Sequence, residues 1–94
     1  MIVQRMTWKV KRGCMEELVA LAKSVRESSG WTGRILTDLV GRHDTVVTDH
    51  EFGSLAEMDE FWAEWRANAD YPAFAEKWFA VTERGGTTDI WNLE

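Results

Sequence analysis

The sequence predicts an α+β fold with the element order β-α-β-β-α-β. Residues 2–11 alternate between mainly apolar and mainly polar side chains, which is typical of a strand with one apolar face. From Met15 the apolar residues recur every three or four positions, as they do in an amphipathic helix. Two strand-like runs, a second helical half and a last strand-like run follow. This order accounts for all 94 residues as a single domain, residues 1–94.

The first helix is predicted to end near Gly30, because glycine suits the C-terminal cap of a helix. The next two strands are predicted over 33–41 and 45–52. Because only a short polar connection separates them, they are expected to form a β-hairpin.

The second helical half is predicted to begin at Ser54, because Glu57 follows at the spacing of a capping box. Pro72 divides this half, since proline disfavours helical geometry at the preceding residue and suits the first turn of a new helix. A third helix is therefore predicted over 72–83. The pair Gly85-Gly86 is expected to end it, which leaves 87–93 as the closing strand.

This element order is the split βαβ arrangement of a ferredoxin-like sandwich, a four-stranded antiparallel sheet with helices on one face. The other sheet face has no helix, and a chain of 94 residues has nothing else to cover it. We therefore expect the protein to form a homodimer through that face.

Composition narrows the classes of partner and compartment. A net charge of −5 argues against nucleic acid or an anionic membrane as the main partner, because both require a basic surface. No apolar run reaches the length of a membrane span, and the first residues lack the pattern of a signal peptide. Cys14 is the only cysteine, so no intrachain disulfide forms. We expect a cytoplasmic protein.

Two segments resemble the dimeric α/β-barrel superfamily, which includes antibiotic biosynthesis monooxygenases. Residues 7–18, TWKVKRGCMEEL, are similar to the strand-to-helix opening of that superfamily, with Arg12 where proline is common. Residues 52–62, FGSLAEMDEFW, are similar to its exit from the third strand into the second helix. No specific subfamily is matched. The resemblance implies that the sheets of two copies face each other and form a barrel.

Four polar strand residues lie opposite the apolar set: Arg5, Thr7, Asp49 and Glu51. The resemblance implies that they lie inside the dimer barrel. There Arg5 is expected to pair with carboxylates across the strands, which is a structural role. We expect removal of Arg5 to weaken the dimer most.

The resemblance also implies a small-molecule pocket between the sheet and the second helical half. The candidate pocket residues are Met6, Trp8, Thr48, Phe52, Met58, Trp62 and Trp78. Helical spacing also makes Phe61, Trp65 and Phe74 available to roof the pocket. Six tryptophans in the chain suit either a packed core or a planar aromatic ligand. Core packing is the commoner reason for any single aromatic stripe.

His50 is the candidate catalytic residue, because it is the one titratable side chain predicted on this apolar face. Burial there would lower its pKa and leave it neutral and able to accept a proton. The resemblance implies a general base in a cofactor-free monooxygenase that deprotonates an aromatic or quinone-like substrate. A histidine that is hydrogen-bonded for structural reasons fits the same position, and both interpretations remain open.

Neither a metal nor another cofactor is predicted. Asp49 and Glu51 point away from His50, because neighbouring strand residues alternate between faces. Haem-degrading members of the superfamily use an asparagine on the first strand and a histidine after the second helix, where this chain has Met6 and Trp78. The asparagine, tryptophan and tyrosine of the aromatic-polyketide monooxygenases are also missing.

Three functions therefore remain. The first is a cofactor-free enzyme that acts on a small aromatic molecule, with His50 as its base. The second is a binding or sensor module that uses the same pocket without chemistry. The third is a structural homodimer whose tryptophans only fill the core and the dimer contact.

Overall fold

The computed structural model describes residues 1–94 as a four-stranded antiparallel sheet with three helices. In chain order the elements are β1 (Ile2–Val10), α1 (Met15–Ser29), β2 (Arg34–Thr37), β3 (Thr45–Phe52), α2 (Leu55–Ala67), α3 (Tyr71–Val81) and β4 (Thr82–Asn92). The strands lie in the order β2-β3-β1-β4. The predicted ferredoxin-like α+β fold is thus confirmed. None of the helices combines the length and apolar character that a membrane span requires.

The second helical half begins and divides as its sequence indicates. The Ser54 hydroxyl accepts a hydrogen bond from the backbone N–H of Glu57 at 3.2 Å. The Glu57 carboxylate in turn accepts one from the backbone N–H of Gly53 at 2.8 Å, so both side chains pair with free N–H groups at the start of α2. Pro72 lies in the first turn of α3.

The register of the two central strands decides which side chains share a face. Gln4 of β1 lies opposite His50 of β3, and Met6 lies opposite Thr48. These residues face the helices. Arg5 lies opposite Asp49 and faces the side of the sheet that carries no helix, which we call the helix-free face.

The hydrophobic core lies under α1 and α3. Its buried members are Val10, Leu18, Ala22, Val46, Trp78 and Val81. Trp8 packs edge-on against Trp78, with 5.2 Å between the ring centroids. α2 contributes no fully buried residue. The space between α2 and the sheet is therefore not filled by the core.

The strand predicted over 33–41 is shorter in the structure, because β2 pairs with β3 only from Arg34 to Thr37. At Asp38 the chain turns away, and the Asp38 carboxylate accepts a hydrogen bond from the backbone N–H of Thr45 at 3.0 Å. Leu39 and Val40 lie in the resulting loop and are each 95% exposed.

The prediction that Gly85-Gly86 ends the third helix was wrong. α3 ends at Val81, and β4 begins at once and runs through both glycines. They lie at an irregularity where the pairing of β4 with β1 shifts between Thr7 and Lys9. A Cβ atom on Gly86 would lie 2.8 Å from the backbone oxygen of Thr7, so this irregularity requires glycine.

Candidate functional site

A cavity of about 630 Å³ lies between the sheet and the helices, which is within the range of small-molecule sites. Thirteen of its 21 lining residues are hydrophobic, so its walls suit an apolar molecule. We call it the aromatic cavity. The predicted pocket residues that line it are Met6, Trp8, Thr48, Trp62 and Trp78, together with His50.

Two predicted pocket residues, Phe52 and Met58, lie outside the lining. Phe52 is the last residue of β3 and packs against Phe61, with 5.4 Å between ring centroids. Met58 lies one helical turn before Trp62, towards the start of α2. Both residues therefore lie near the β3–α2 connection, outside the cavity.

Several lining residues were not predicted as site residues. They include Gln4, Trp31 and Tyr71, whereas Phe61, Trp65 and Phe74, which helical spacing makes available to the pocket, line it as well. Gln4 could have been found, because it is the one amide on the apolar side of β1. Trp31 lies in the connection between α1 and β2, where no periodicity indicates which way a side chain points.

His50 is enclosed by aromatic rings. Its imidazole stacks on the Trp31 indole, with 4.4 Å between the centroids and 19° between the planes. Trp62 meets it edge-on at 5.0 Å, and Phe61 lies at 6.0 Å. His50 is only 6% exposed. Rotation of its ring is therefore restricted on several sides.

Trp31 can stack on His50 because Gly33 has no side chain. A Cβ atom at Gly33 would overlap the indole nitrogen of Trp31 and the backbone oxygen of Asp49. The indole N–H of Trp31 donates to that same Asp49 oxygen at 3.2 Å. This hydrogen bond fixes the indole over the imidazole.

The imidazole is the chemically unusual group of the cavity. Its Nδ1 is the only fully buried side-chain nitrogen or oxygen without a hydrogen-bond partner. Such atoms are rare, because leaving them unpaired costs about 1–3 kcal/mol. Burial lowers the pKa of His50 from its ordinary value to about 4, a shift that the neighbouring Asp49 carboxylate opposes only in part. At neutral pH the ring is uncharged and can accept a proton.

Gln4 has a fixed orientation beside His50. It is 8% exposed, and its side-chain oxygen accepts a hydrogen bond from the indole N–H of Trp62 at 2.7 Å. Trp8 makes a longer contact of 3.4 Å from its indole N–H to the Thr48 hydroxyl. The two tryptophans thus hold the polar groups of the sheet in defined positions.

The helix-free face carries an ion cluster. The Arg5 guanidinium donates to both carboxylate oxygens of Asp49 at 2.8 Å, and Arg34 donates to one of them at 2.7 Å. Asp49 is 2% exposed. The hydrogen bond from Arg5 lowers the pKa of Asp49 against the opposing effect of burial, with Arg34 assisting.

The remaining residues predicted for this face lie outside the cluster. Thr7 lies opposite Val47 of β3 and Thr87 of β4. Glu51 lies opposite Val3, is exposed and forms no ion pair. The strand pairing accounts for this, because it places Asp49 and not Glu51 opposite Arg5. Arg34, which the sequence reasoning missed, supplies the second cation.

No three side chains of the metal-ligating types come together in this structure. Asp49 and His50 are adjacent in the chain, but the first faces Arg5 and the second faces the cavity. On its sheet side the aromatic cavity therefore offers an imidazole and an amide among apolar rings, a set suited to hydrogen bonding and proton transfer. The exposed side chains of Glu64, Arg66 and Asn68 line its rim.

Known proteins resemble this chain in structure, at low sequence identity. No protein-family model and no curated protein matches the sequence. A NIPSNAP domain protein from Burkholderia xenovorans matches over 100% of this chain and 95% of its own, with a TM-score of 0.84 at 13% identity. A NIPSNAP family protein of unknown function from Agrobacterium tumefaciens matches over 97% and 86%, with a TM-score of 0.84 at 19% identity.

An antibiotic biosynthesis monooxygenase structure matches over 100% of this chain and 99% of its own, with a TM-score of 0.67 at 15% identity. At these identities the matches establish the fold alone. They agree with the resemblance seen in residues 7–18 and 52–62 and point to no subfamily. The chain therefore has the ferredoxin-like fold that NIPSNAP proteins and antibiotic biosynthesis monooxygenases share.

Proposed function

We propose that this protein binds a planar aromatic molecule in the aromatic cavity and acts on it as a cofactor-free monooxygenase. The observation that carries the proposal is His50, a neutral imidazole among aromatic rings that lines the cavity and whose Nε2 is neither fully buried nor hydrogen-bonded. A histidine base must be uncharged before reaction, and a fixed angle to the substrate favours proton transfer. The surrounding rings provide both conditions.

The proposed reaction begins when His50 takes the acidic proton of a quinol-like or phenol-like substrate. The imidazole becomes imidazolium, and the electron pair left on the substrate is delocalised over its ring as a carbanion. Dioxygen adds to that carbon, and loss of water leaves a carbonyl group. In the overall reaction a CH₂ group and O₂ give C=O and H₂O, so the substrate supplies all four electrons and no cofactor is needed.

A second candidate is a binding module that uses the same cavity without chemistry. It is favoured by the burial of Nδ1, which leaves Nε2 as the one imidazole nitrogen that reaches the cavity, where it can hold a ligand hydroxyl as well as remove its proton. Under this alternative, tight binding occurs with no product.

We also propose that a second copy covers the helix-free face. That face exposes apolar side chains beside the ion cluster, among them Leu36 and Trp91. Arg5 and Arg34 are only partly covered within one chain, although Asp49 beneath them is buried. A facing sheet would cover both arginines and the apolar residues together.

The test of the enzyme proposal is a thermal-shift screen with quinols, anthrones and flavonoids, with oxygen uptake recorded for each ligand that binds. His50→Gln should still bind substrate but turn over on the order of 10²–10⁴-fold more slowly, because glutamine cannot act as a base. The matched control is His43→Gln in the exposed β2–β3 loop, which should keep full activity. Full activity of His50→Gln would exclude the proposed mechanism, and binding without oxygen uptake would favour the binding module.

A further inference from the structure

Gln4 offers an unused hydrogen-bond donor to the aromatic cavity. Its side-chain oxygen is occupied by the Trp62 indole N–H at 2.7 Å, which fixes which end of the amide is oxygen and which is nitrogen. No hydrogen bond donated by its NH₂ group is present. Since His50 Nδ1 is the only fully buried atom left unpaired, the Gln4 NH₂ group keeps accessible surface, and Gln4 lines the cavity.

The donor of Gln4 and the imidazole of His50 are close neighbours. The two residues are directly opposite each other in the β1–β3 pairing and lie on the same sheet face. Side chains in this relation have Cβ atoms about 4.5–5.5 Å apart. Nδ1 of His50 is fully buried, so Nε2 is the nitrogen that can meet a ligand. In the tautomer that carries its proton on Nδ1, Nε2 accepts one hydrogen bond, so the cavity presents a donor and an acceptor side by side.

We infer that Gln4 and His50 together recognise one edge of a planar aromatic ligand, an edge on which a hydroxyl or ring N–H lies beside a carbonyl. The ligand N–H or O–H donates to His50, and its carbonyl accepts from Gln4. Trp62 acts as a positioning residue, because its indole N–H holds the Gln4 amide with its NH₂ group free. The ring system of the ligand lies between the aromatic walls.

This inference rests on the proposed binding of an aromatic molecule and narrows its class. Both Gln4 and His50 are more than nine-tenths buried, so a ligand that lacked either group would leave a polar atom of the site unpaired. Quinones without a neighbouring hydroxyl, and ring N–H compounds without a neighbouring carbonyl, satisfy only half of the pair.

Three bicyclic probes of similar size test the inference. 2-Quinolone carries both an N–H and a carbonyl, 1-methyl-2-quinolone keeps only the carbonyl, and indole keeps only the N–H donor. Affinities are measured by calorimetry for the wild type, Gln4→Met and His50→Phe. Gln4→Met keeps the length of the side chain but cannot donate, and His50→Phe keeps a planar ring but has no nitrogen.

The wild type should bind 2-quinolone roughly tenfold more tightly than either partial probe, because each loses one hydrogen bond. Gln4→Met should weaken binding of the two carbonyl probes about 3–10-fold and leave indole unchanged. His50→Phe should weaken binding of the two donor probes and leave 1-methyl-2-quinolone unchanged. The readout is the contrast between probes, so a general loss of packing affects all three alike.

Equal binding of the three probes to the wild type would overturn the inference and leave the proposed aromatic binding intact. That comparison does not depend on whether either variant folds. Variants that weaken all three probes by the same factor would also overturn it. No binding of any probe at millimolar concentration would overturn both the inference and the proposed function.

Discussion

Trp31 is the residue that most directly controls the environment of His50. It stacks on the imidazole at 4.4 Å and is fixed by its hydrogen bond to the Asp49 backbone. The low pKa of His50 arises chiefly from burial, and this indole is the nearest of the rings that bury it. A side chain in a loop thus contributes to the burial of a side chain in the sheet.

Removal of the indole should therefore raise the pKa of His50. In Trp31→Ala we expect the pKa to move from about 4 towards its ordinary value of 6.5, by roughly one unit or more, as water reaches the ring. An NMR titration of the histidine ring protons measures this directly. Trp91→Ala, on the helix-free face, is the matched control and should leave the pKa unchanged. An unchanged value in Trp31→Ala would mean that other neighbours keep the imidazole dry.

The same imidazole makes the stability of the protein depend on pH. The unfolded chain binds a proton at His50 near pH 6.5, whereas the folded chain does so only near pH 4. Between these values acid favours the unfolded state, so the free energy of unfolding should fall as the pH falls. A shift of this size corresponds to about 3 kcal/mol.

Urea denaturation at pH 7, 5.5 and 4.5 measures this loss. His50→Gln should show a flatter profile than the wild type across that window, and His43→Gln should follow the wild type because His43 lies in the exposed loop. Asp49 does not affect this comparison. Because its pKa is lowered, its contribution to the free energy of unfolding is lost only at a pH below the range measured. Parallel profiles for the wild type and His50→Gln would show that His50 is not buried as described.

The strands differ in how much of each could be predicted. For β3, alternation predicts both the range 45–52 and the sheet face on which His50 lies. It succeeds because β3 pairs with β1 on one side and with β2 on the other. It fails for β2, whose length is set by where β3 stops pairing with it. It also fails for β4, because Gly85-Gly86 has the composition of a helix terminator and the structure uses the pair inside a strand.

The candidate site shows the same limit. His50 was predicted because periodicity alone places a side chain on a face. Trp31 could not be predicted in this way. Its indole reaches His50 by packing directly against Gly33, a contact that exists only in the folded chain. The pairing of Gln4 with Trp62 joins residues far apart in the chain, and no local pattern of residues 1–10 indicates it.

The irregularity in β4 should be intolerant of any side chain at Gly86. Gly86→Ala places a methyl group 2.8 Å from the Thr7 backbone oxygen, and backbone atoms cannot rotate away as a flexible side chain can. We expect a loss of about 1–3 kcal/mol in the free energy of unfolding, measured in urea. Thr87→Ala, at the next position of the same exposed strand, should change stability by less than about 0.5 kcal/mol. A neutral Gly86→Ala would show that β4 can shift its pairing with β1.

The assembly of the protein is expected to depend on the ion cluster. Asp49→Asn leaves Arg5 and Arg34 with a weaker acceptor, and in the proposed dimer a facing sheet would cover both. We expect the dissociation constant of the dimer, measured by analytical ultracentrifugation, to rise at least about tenfold. Asp59→Asn, on the exposed surface of α2, should leave it unchanged. A wild type that stays monomeric at micromolar concentration would exclude the dimer itself.

The adjacency of Asp49 and His50 also protects β3 from pairing one residue out of place. Such a slip would exchange the two side chains between the faces of the sheet. The carboxylate would then lie unpaired among the rings of Trp31 and Trp62, and two arginines would face an imidazole in place of their acceptor. Each change would raise the free energy of the misaligned sheet. The Asp49-His50 pair therefore favours a single alignment of β3 during folding.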